Sequence, residues 1–150
     1  MIESHNPEET RALGERIGRA AQAGDVLLLS GELGAGKTLF VQGIARGLGY
    51  ESPVSSKSFV ILGQYAGRVT LYHADLYRLE DPEQVQELGL DEITADGVLA
   101  VEWPERAEWI LPDERLLIRF EVTSEDTRRL HLEPHGARAE ALARALRGES

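Results

Sequence analysis

No cysteine occurs in the chain, which removes disulfide frameworks, thiolate metal sites and cysteine nucleophiles together. No apolar run approaches the roughly 18 residues that a membrane-spanning helix needs. The stretch from Met1 to Gln22 is too charged for the apolar core of a secretory leader, so a cytoplasmic location is expected. Positive charge is the scarcer sign: 16 Lys and Arg against 26 Asp and Glu leave a formal net charge of −10. That balance opposes unaided binding of nucleic-acid phosphates, so any contact with RNA would need a partner. Asparagine is nearly missing as well. Its one occurrence is Asn6, so the N-K-x-D motif by which GTPases read guanine is absent, as is any D-x-x-G, and adenine is the favoured base.

With 150 residues the chain has room for one sizeable core and too little for two, and neither a repeat nor a linker interrupts it, so a single domain over 1–150 is expected. Asn6 as N-cap, Pro7 at the first helical position and Glu9 start a helix with Leu13, Ile17, Ala20 and Ala21 on one face, ended by Gly24. Asp25 to Ser30 is a continuous apolar run bounded by turn residues, the pattern of a strand buried on both faces of a parallel sheet. A helix from Lys37 to about Arg46 follows, stopped by Gly47 and Gly49, and then a polar loop over residues 50 to 58.

Phe59 to Tyr65 and Arg68 to His73, flanking Ala66-Gly67, predict a hairpin, and Asp81-Pro82-Glu83-Gln84 predicts a helix start. Val98 to Val101 reads as a second buried strand, ended by Glu102-Trp103-Pro104. A second hairpin joins Arg115–Val122, with Leu116, Ile118, Phe120 and Val122 inward, to Arg128–Glu133. Ala137 to Leu146 closes the chain as an amphipathic helix with Ala141, Leu142, Ala145 and Leu146 on its apolar side.

The run Gly31-Glu32-Leu33-Gly34-Ala35-Gly36-Lys37-Thr38 fits G-x-x-x-x-G-K-[ST], with a buried strand before it and a helix after it. Such a loop turns successive N–H groups inward at a positive helix end and so receives phosphates; a ligand-free glycine turn is the lesser reading of a full match in that context. Lys37 would reach the β- and γ-phosphates, and the Thr38 hydroxyl would bind Mg²⁺. Phosphoryl transfer also needs a carboxylate for the metal and a group to position water. Glu102 and Asp75 each follow a strand and would lie at the sheet's carboxyl edge, where open α/β sheets bind ligands; the alternative for each is a solvated strand-end carboxylate. The four histidines read as surface or core residues, Trp103 and Trp109 as packing, and the acidic run from Glu80 to Glu92 as a solvated face, with partner docking as its alternative.

The loop, Ser56-Lys57-Ser58-Phe59, His73-Ala74-Asp75-Leu76-Tyr77-Arg78-Leu79 and Glu102-Trp103-Pro104 together resemble, in order and spacing, the G-x-L-G-A-G-K-T, S-P-T-F, H-x-D-L-Y-R-L and E-W-P segments of the bacterial TsaE (YjeE) family. The family supplies the ATPase component of tRNA threonylcarbamoyladenosine biosynthesis. The resemblance implies an α/β fold of the P-loop containing nucleoside triphosphate hydrolase type, a three-layer sandwich with a mixed sheet that includes antiparallel hairpins. It implies ATP and Mg²⁺ as cofactors, Thr38 and Glu102 as metal ligands, and Asp75 orienting water or completing the metal's outer shell, roles that Asp75 and Glu102 could exchange. Lys37, Asp75 and Glu102 would be catalytic. The nucleotide would contact Thr10 near its base, all of Gly31, Glu32, Leu33, Gly34, Ala35, Gly36, Lys37 and Thr38, then Ser58 with Ser56 in a loop that senses the γ-phosphate, and Arg128.

One departure is Lys57 where the family has proline, which drops the fixed φ, with Ser58 in place of its threonine, which keeps the hydroxyl and drops a methyl. Implied partners are TsaD-type and TsaB-type proteins, with tRNA reached only through their complex and no membrane. Two other classes use the same loop. A small-molecule kinase would carry an arginine-bearing lid, and no such insertion lies between Glu80 and Trp109. A nucleotide-gated binding module would hold ATP without turnover.

Overall fold

The computed structural model describes residues 1–50, 62–77, 79, 81–89, 92 and 95–148. Its strands are β1 (Ile2–Ser4), β2 (Val26–Gly31), β3 (Leu62–Tyr65), β4 (Thr70–Asp75), β5 (Gly97–Glu102), β6 (Arg115–Val122) and β7 (Arg128–His135). Its helices are α1 (Pro7–Ala20), α2 (Lys37–Gly47), α3 (Glu83–Leu88) and α4 (Ala137–Leu146), with single 3₁₀ turns at Pro104–Arg106 and Glu108–Ile110. The strands form one mixed sheet in the order β1-β7-β6-β2-β5-β4-β3. Its centre, β6-β2-β5-β4, is parallel, while β3–β4, β6–β7 and β1–β7 pair antiparallel.

Alternation along the strands divides the core. Leu27, Leu29, Leu71, Val98, Ala100, Leu116, Ile118 and Phe120 pack under α1, α2 and α4. Val26, Leu28, Tyr72, Ala74, Leu99 and Val101 pack on the opposite face against Leu76, Val85, Ala107 and Leu111. Helices and turns thus cover both sides of the central strands, the three-layer arrangement expected, and Val26 to Leu29 of β2 and Val98 to Val101 of β5 are apolar without a break because both of their faces are covered. Both expected hairpins form; the expected strand positions Phe59 to Ile61 lie outside the described residues. The three-residue β1 carries no periodic signal and was not anticipated. It pairs Ile2, Glu3 and Ser4 with Leu130, Arg129 and Arg128.

α1 begins as expected: the Asn6 side chain accepts from Glu9 N at 2.9 Å. It ends earlier than Gly24, because Ala21 turns extended and Arg68 donates to the Gly18 and Ala21 carbonyls at 3.1 and 3.0 Å. Orphan carbonyls at the helix end are thereby satisfied from the β3–β4 connection. Gly24 instead shapes the entry to β2, donating to Gly97 O at 2.8 Å.

Glycines on one stripe of each helix let α1 and α2 cross at backbone contact. A methyl placed on Gly43 would lie 2.0 Å from Arg11 O, and on Gly14 2.1 Å from Phe40 O; Gly18 and Gly47 meet Ile44 O and Glu15 O at 2.4 and 2.3 Å. Helical spacing of four puts each pair on one face.

α4 buries Ala139, Leu142, Ala143 and Leu146, a face rotated from the expected one, with Ala141 and Ala145 half-buried. With alanine at so many positions apolarity cannot orient this helix, and polar ties do it instead. Arg138 grips Asp25 through Nε and Nη2 at 2.9 and 2.7 Å, and Arg16 donates to Leu146 O at 2.8 Å. The Asp25 side chain is 1% exposed and also accepts from Gln22 N at 2.8 Å. Arg138→Ala is therefore expected to lower unfolding free energy by about 2 kcal/mol in a urea titration; the half-exposed guanidinium keeps the loss below that of a fully buried pair.

Candidate functional site

Three parallel strands end side by side where α2 begins. Register sets Glu102 opposite Leu29 of β2 and opposite Asp75 of β4, so the two carboxylates expected at strand ends sit on adjacent strands at the same edge. Strand parity gives His73, Asp75 and Glu102 the same sheet face as Leu29, the face that α2 covers.

The loop from Gly31 to Thr38 links β2 to α2. Gly34 and Gly36 have φ of 81° and 101°, values that a side chain would resist, and Ala35 N donates to Glu32 O at 3.1 Å to close the turn. Ala35 is buried, whereas Glu32, Leu33 and Gly34 form the exposed apex. The loop is fastened from two other elements. The Thr10 methyl packs against Gly36, with 3.4 Å to the position a Cβ would take, while the Thr10 hydroxyl is engaged by Ser4 Oγ at 2.7 Å. Arg128 reaches from the start of β7 to Gly34 O at 3.4 Å and binds the Ser124, Glu125 and Thr127 carbonyls at 2.9 to 3.2 Å. Thr10 and Arg128, distant in sequence, therefore both touch the loop. Ser56, Lys57 and Ser58 lie outside the described residues.

Lys37 is only 4% exposed. Its ammonium donates to Gly31 O and sits 3.5 Å from the centroid of the Trp103 ring, a cation–π contact. Burial pushes the Lys37 pKa below the ordinary lysine value, and the negative charges of Glu102, Glu105 and Asp75 oppose that shift. Trp103 has φ of 58°, the one left-handed non-glycine backbone among the described residues. That strain, immediately before Pro104, accompanies a ring placed between Lys37 and Tyr77, whose own ring lies 5.0 Å away. Trp103, read from sequence as packing, thus packs against a site residue.

The Thr38 hydroxyl faces both Glu102 oxygens at 3.4 Å, beyond the usual O–H···O range, and Glu102 is 3% exposed. Two hard oxygen donors confronting each other across that gap fit a magnesium ion, which binds through one or two protein oxygens and completes its shell with phosphate and water. Among the described residues no group of three or more His, Cys, Asp or Glu could hold a metal ion. Asp75 Oδ1 accepts from Tyr77 N at 3.0 Å. His73, given no special part from the sequence, places Nε2 2.6 Å from Glu102 Oε2. Its two-residue offset from Asp75 on a strand, which puts both on one face, was the available signal.

A parallel sheet centred on the strand that feeds a glycine loop, with a helix rising from that loop and acidic side chains on the neighbouring strand ends, defines a P-loop nucleoside triphosphate hydrolase fold. The sequence pattern of Threonylcarbamoyl adenosine biosynthesis protein TsaE matches residues 4–130. The tRNA threonylcarbamoyladenosine biosynthesis protein TsaE of Bacillus subtilis is 44% identical over 143 residues, 94% of this chain and 89% of that protein. Its namesake from Treponema pallidum is 38% identical over 128 residues, 85% of this chain and 95% of that one. The crystal structure of Bacillus subtilis YdiB superposes with a TM-score of 0.81 at 40% identity, covering 98% of this chain and 93% of the other. The chain belongs to the TsaE family of threonylcarbamoyladenosine biosynthesis proteins. No helix among the described residues is long and apolar enough to cross a membrane.

Proposed function

We propose that this protein is a single-domain, Mg²⁺-dependent ATPase of the cytoplasm that serves as the accessory component in forming threonylcarbamoyladenosine in tRNA. The observation that carries the reading is the confrontation of Thr38 and Glu102 across the mouth of the phosphate loop. Loop N–H groups from Gly31 to Thr38 and the Lys37 ammonium would hold the β- and γ-phosphates, with Thr10 and Arg128 bracing the loop. Thr38 and Glu102 would hold the magnesium ion, which when bound neutralises developing charge on the phosphates. Asp75, beside Glu102, would orient the attacking water or bind the metal's outer shell, and Ser58 would contact the nucleotide.

Hydrolysis by the chain alone is slow in this reading: among the described residues Arg128 reaches the loop, and its guanidinium is engaged by the carbonyls of Ser124, Glu125, Thr127 and Gly34 rather than left for a transferring phosphate. ATP binding and hydrolysis would drive turnover of TsaD-type and TsaB-type partners, which would hold the tRNA; the net charge of −10 suits that division. Steady-state Mg-ATP hydrolysis is expected to rise severalfold when such a pair from the same organism is added, and Glu102→Gln is expected to lower the stimulated rate by about 100-fold, the scale of losing one charged group in a preorganised site. An unchanged rate on adding the pair, with no complex on a sizing column, would favour a free-standing kinase.

A further inference from the structure

Among the described residues of the site His73 makes the closest side-chain to side-chain contact, 2.6 Å from Nε2 to Glu102 Oε2, against 3.4 Å for Thr38. Register pairs His73 with Ala100, so Glu102 is its diagonal neighbour two residues along β5 on the same face. Both side chains are shielded from water, at 6% and 4% exposure. A carboxylate can only accept, so the tautomer that makes this contact a hydrogen bond to it is the one with the hydrogen on Nε2. Opposite His73 on β3 stands Gly63, which has no side chain of its own, and the Tyr65 hydroxyl lies 3.2 Å from where its Cβ would be.

Lys37 does not take this place: its ammonium is engaged by Gly31 O and the Trp103 ring. Glutamate has three side-chain torsions, and a carboxylate buried without an anchor would lose both hydration and a fixed plane. With Oε2 held from the β4 side, the carboxylate turns both oxygens equally toward Thr38. We propose that His73 is a positioning residue whose hydrogen bond to Oε2 fixes the Glu102 carboxylate in the orientation that receives the divalent cation accompanying nucleotide phosphates. Groups one shell removed from a metal commonly set ligand orientation in this way. The inference rests on the nucleotide reading above and adds to it a residue that touches neither phosphate nor metal.

Fluorescence titration with mant-ATP, first in EDTA and then at rising Mg²⁺, separates the two. In the wild-type protein mant-ATP affinity should increase with Mg²⁺. In His73→Ala the Mg²⁺ concentration giving half of that increase should be at least about tenfold higher, while affinity in EDTA stays unchanged. His73→Gln, whose amide nitrogen reaches the Nε2 position, should restore most of the Mg²⁺ response, and His73→Asn, too short to reach Glu102, should not. The Gln and Asn pair decides the matter if the alanine protein does not fold. An unshifted Mg²⁺ response in His73→Ala, an equal loss with and without Mg²⁺, or a glutamine variant no better than asparagine would overturn the proposal. Wild-type protein that fails to bind mant-ATP at any Mg²⁺ concentration would instead remove the nucleotide reading on which it rests.

Discussion

Gly43→Ala is expected to lower the thermal unfolding midpoint by about 5 to 10 °C. The added methyl would sit 2.0 Å from Arg11 O and 2.8 Å from Glu15 N, atoms of the facing helix's backbone that no change of rotamer can move. Overpacking of a core costs about 1–3 kcal/mol, and a clash with main chain belongs at or above the upper end. Alanine's better helix propensity offsets about 1 kcal/mol, leaving about 2–3 kcal/mol, and a chain of this size loses about 2–4 °C per kcal/mol. Calorimetry measures this directly. An unchanged midpoint would mean that α1 and α2 do not approach as closely as described. The same substitution should weaken nucleotide binding, because separating the helices moves Thr10 away from Gly36.

Removing the ammonium with Lys37→Met is expected to weaken mant-ATP binding by about 10- to 100-fold, while the thermal midpoint stays level or rises. A hydrogen bond to a charged group contributes about 1.5–3 kcal/mol, and each 1.4 kcal/mol is about tenfold in affinity. The second half of the result has a separate cause. Burial is the largest influence on the Lys37 pKa and disfavours its charged form, so the fold holds that charge at a cost. Methionine keeps an apolar stem beside Trp103 and discards the charge. Binding and stability moving in opposite directions would mark Lys37 as a residue retained for its ligand. A parallel fall in both would show that its bond to Gly31 O is mainly structural.

The elements that carry strong local signals were readable in the chain. Asn6-Pro7 opened a helix, Val26 to Ser30 and Val98 to Val101 became parallel strands, and the glycine loop lay between strand and helix as its motif requires. What escaped was set by contacts between distant residues. The end of α1 depends on Arg68, the rotation of α4 on Asp25 and on Arg16, and β1 is too short for any period to show. The site divides the same way. Asp75 and Glu102 were placed by strand ends, but that they stand in register on adjacent strands is a property of the sheet. His73 resembled any buried histidine until β4 lay beside β5. The glycines of the helix crossing gave no signal of their purpose, since each reads locally as a weak helix position.

The position of β2 at the middle of the sheet bears on the order in which the protein can be built. The strand leading into the phosphate loop is emitted early, yet its two neighbours, β5 and β6, come from the chain's second half, with Val26 beside Leu99 and Leu27 beside Leu116. Closing such long loops of chain is slow relative to local helix formation. During synthesis α1 and α2 can pair through their glycines soon after they emerge, but the strand between them gains its first wall only with β5 and its second only when residue 120 is out. The loop that would grip a nucleotide therefore takes shape among the last parts of the molecule, and a ribosome-bound fragment ending before β6 should carry the complete motif and lack the site.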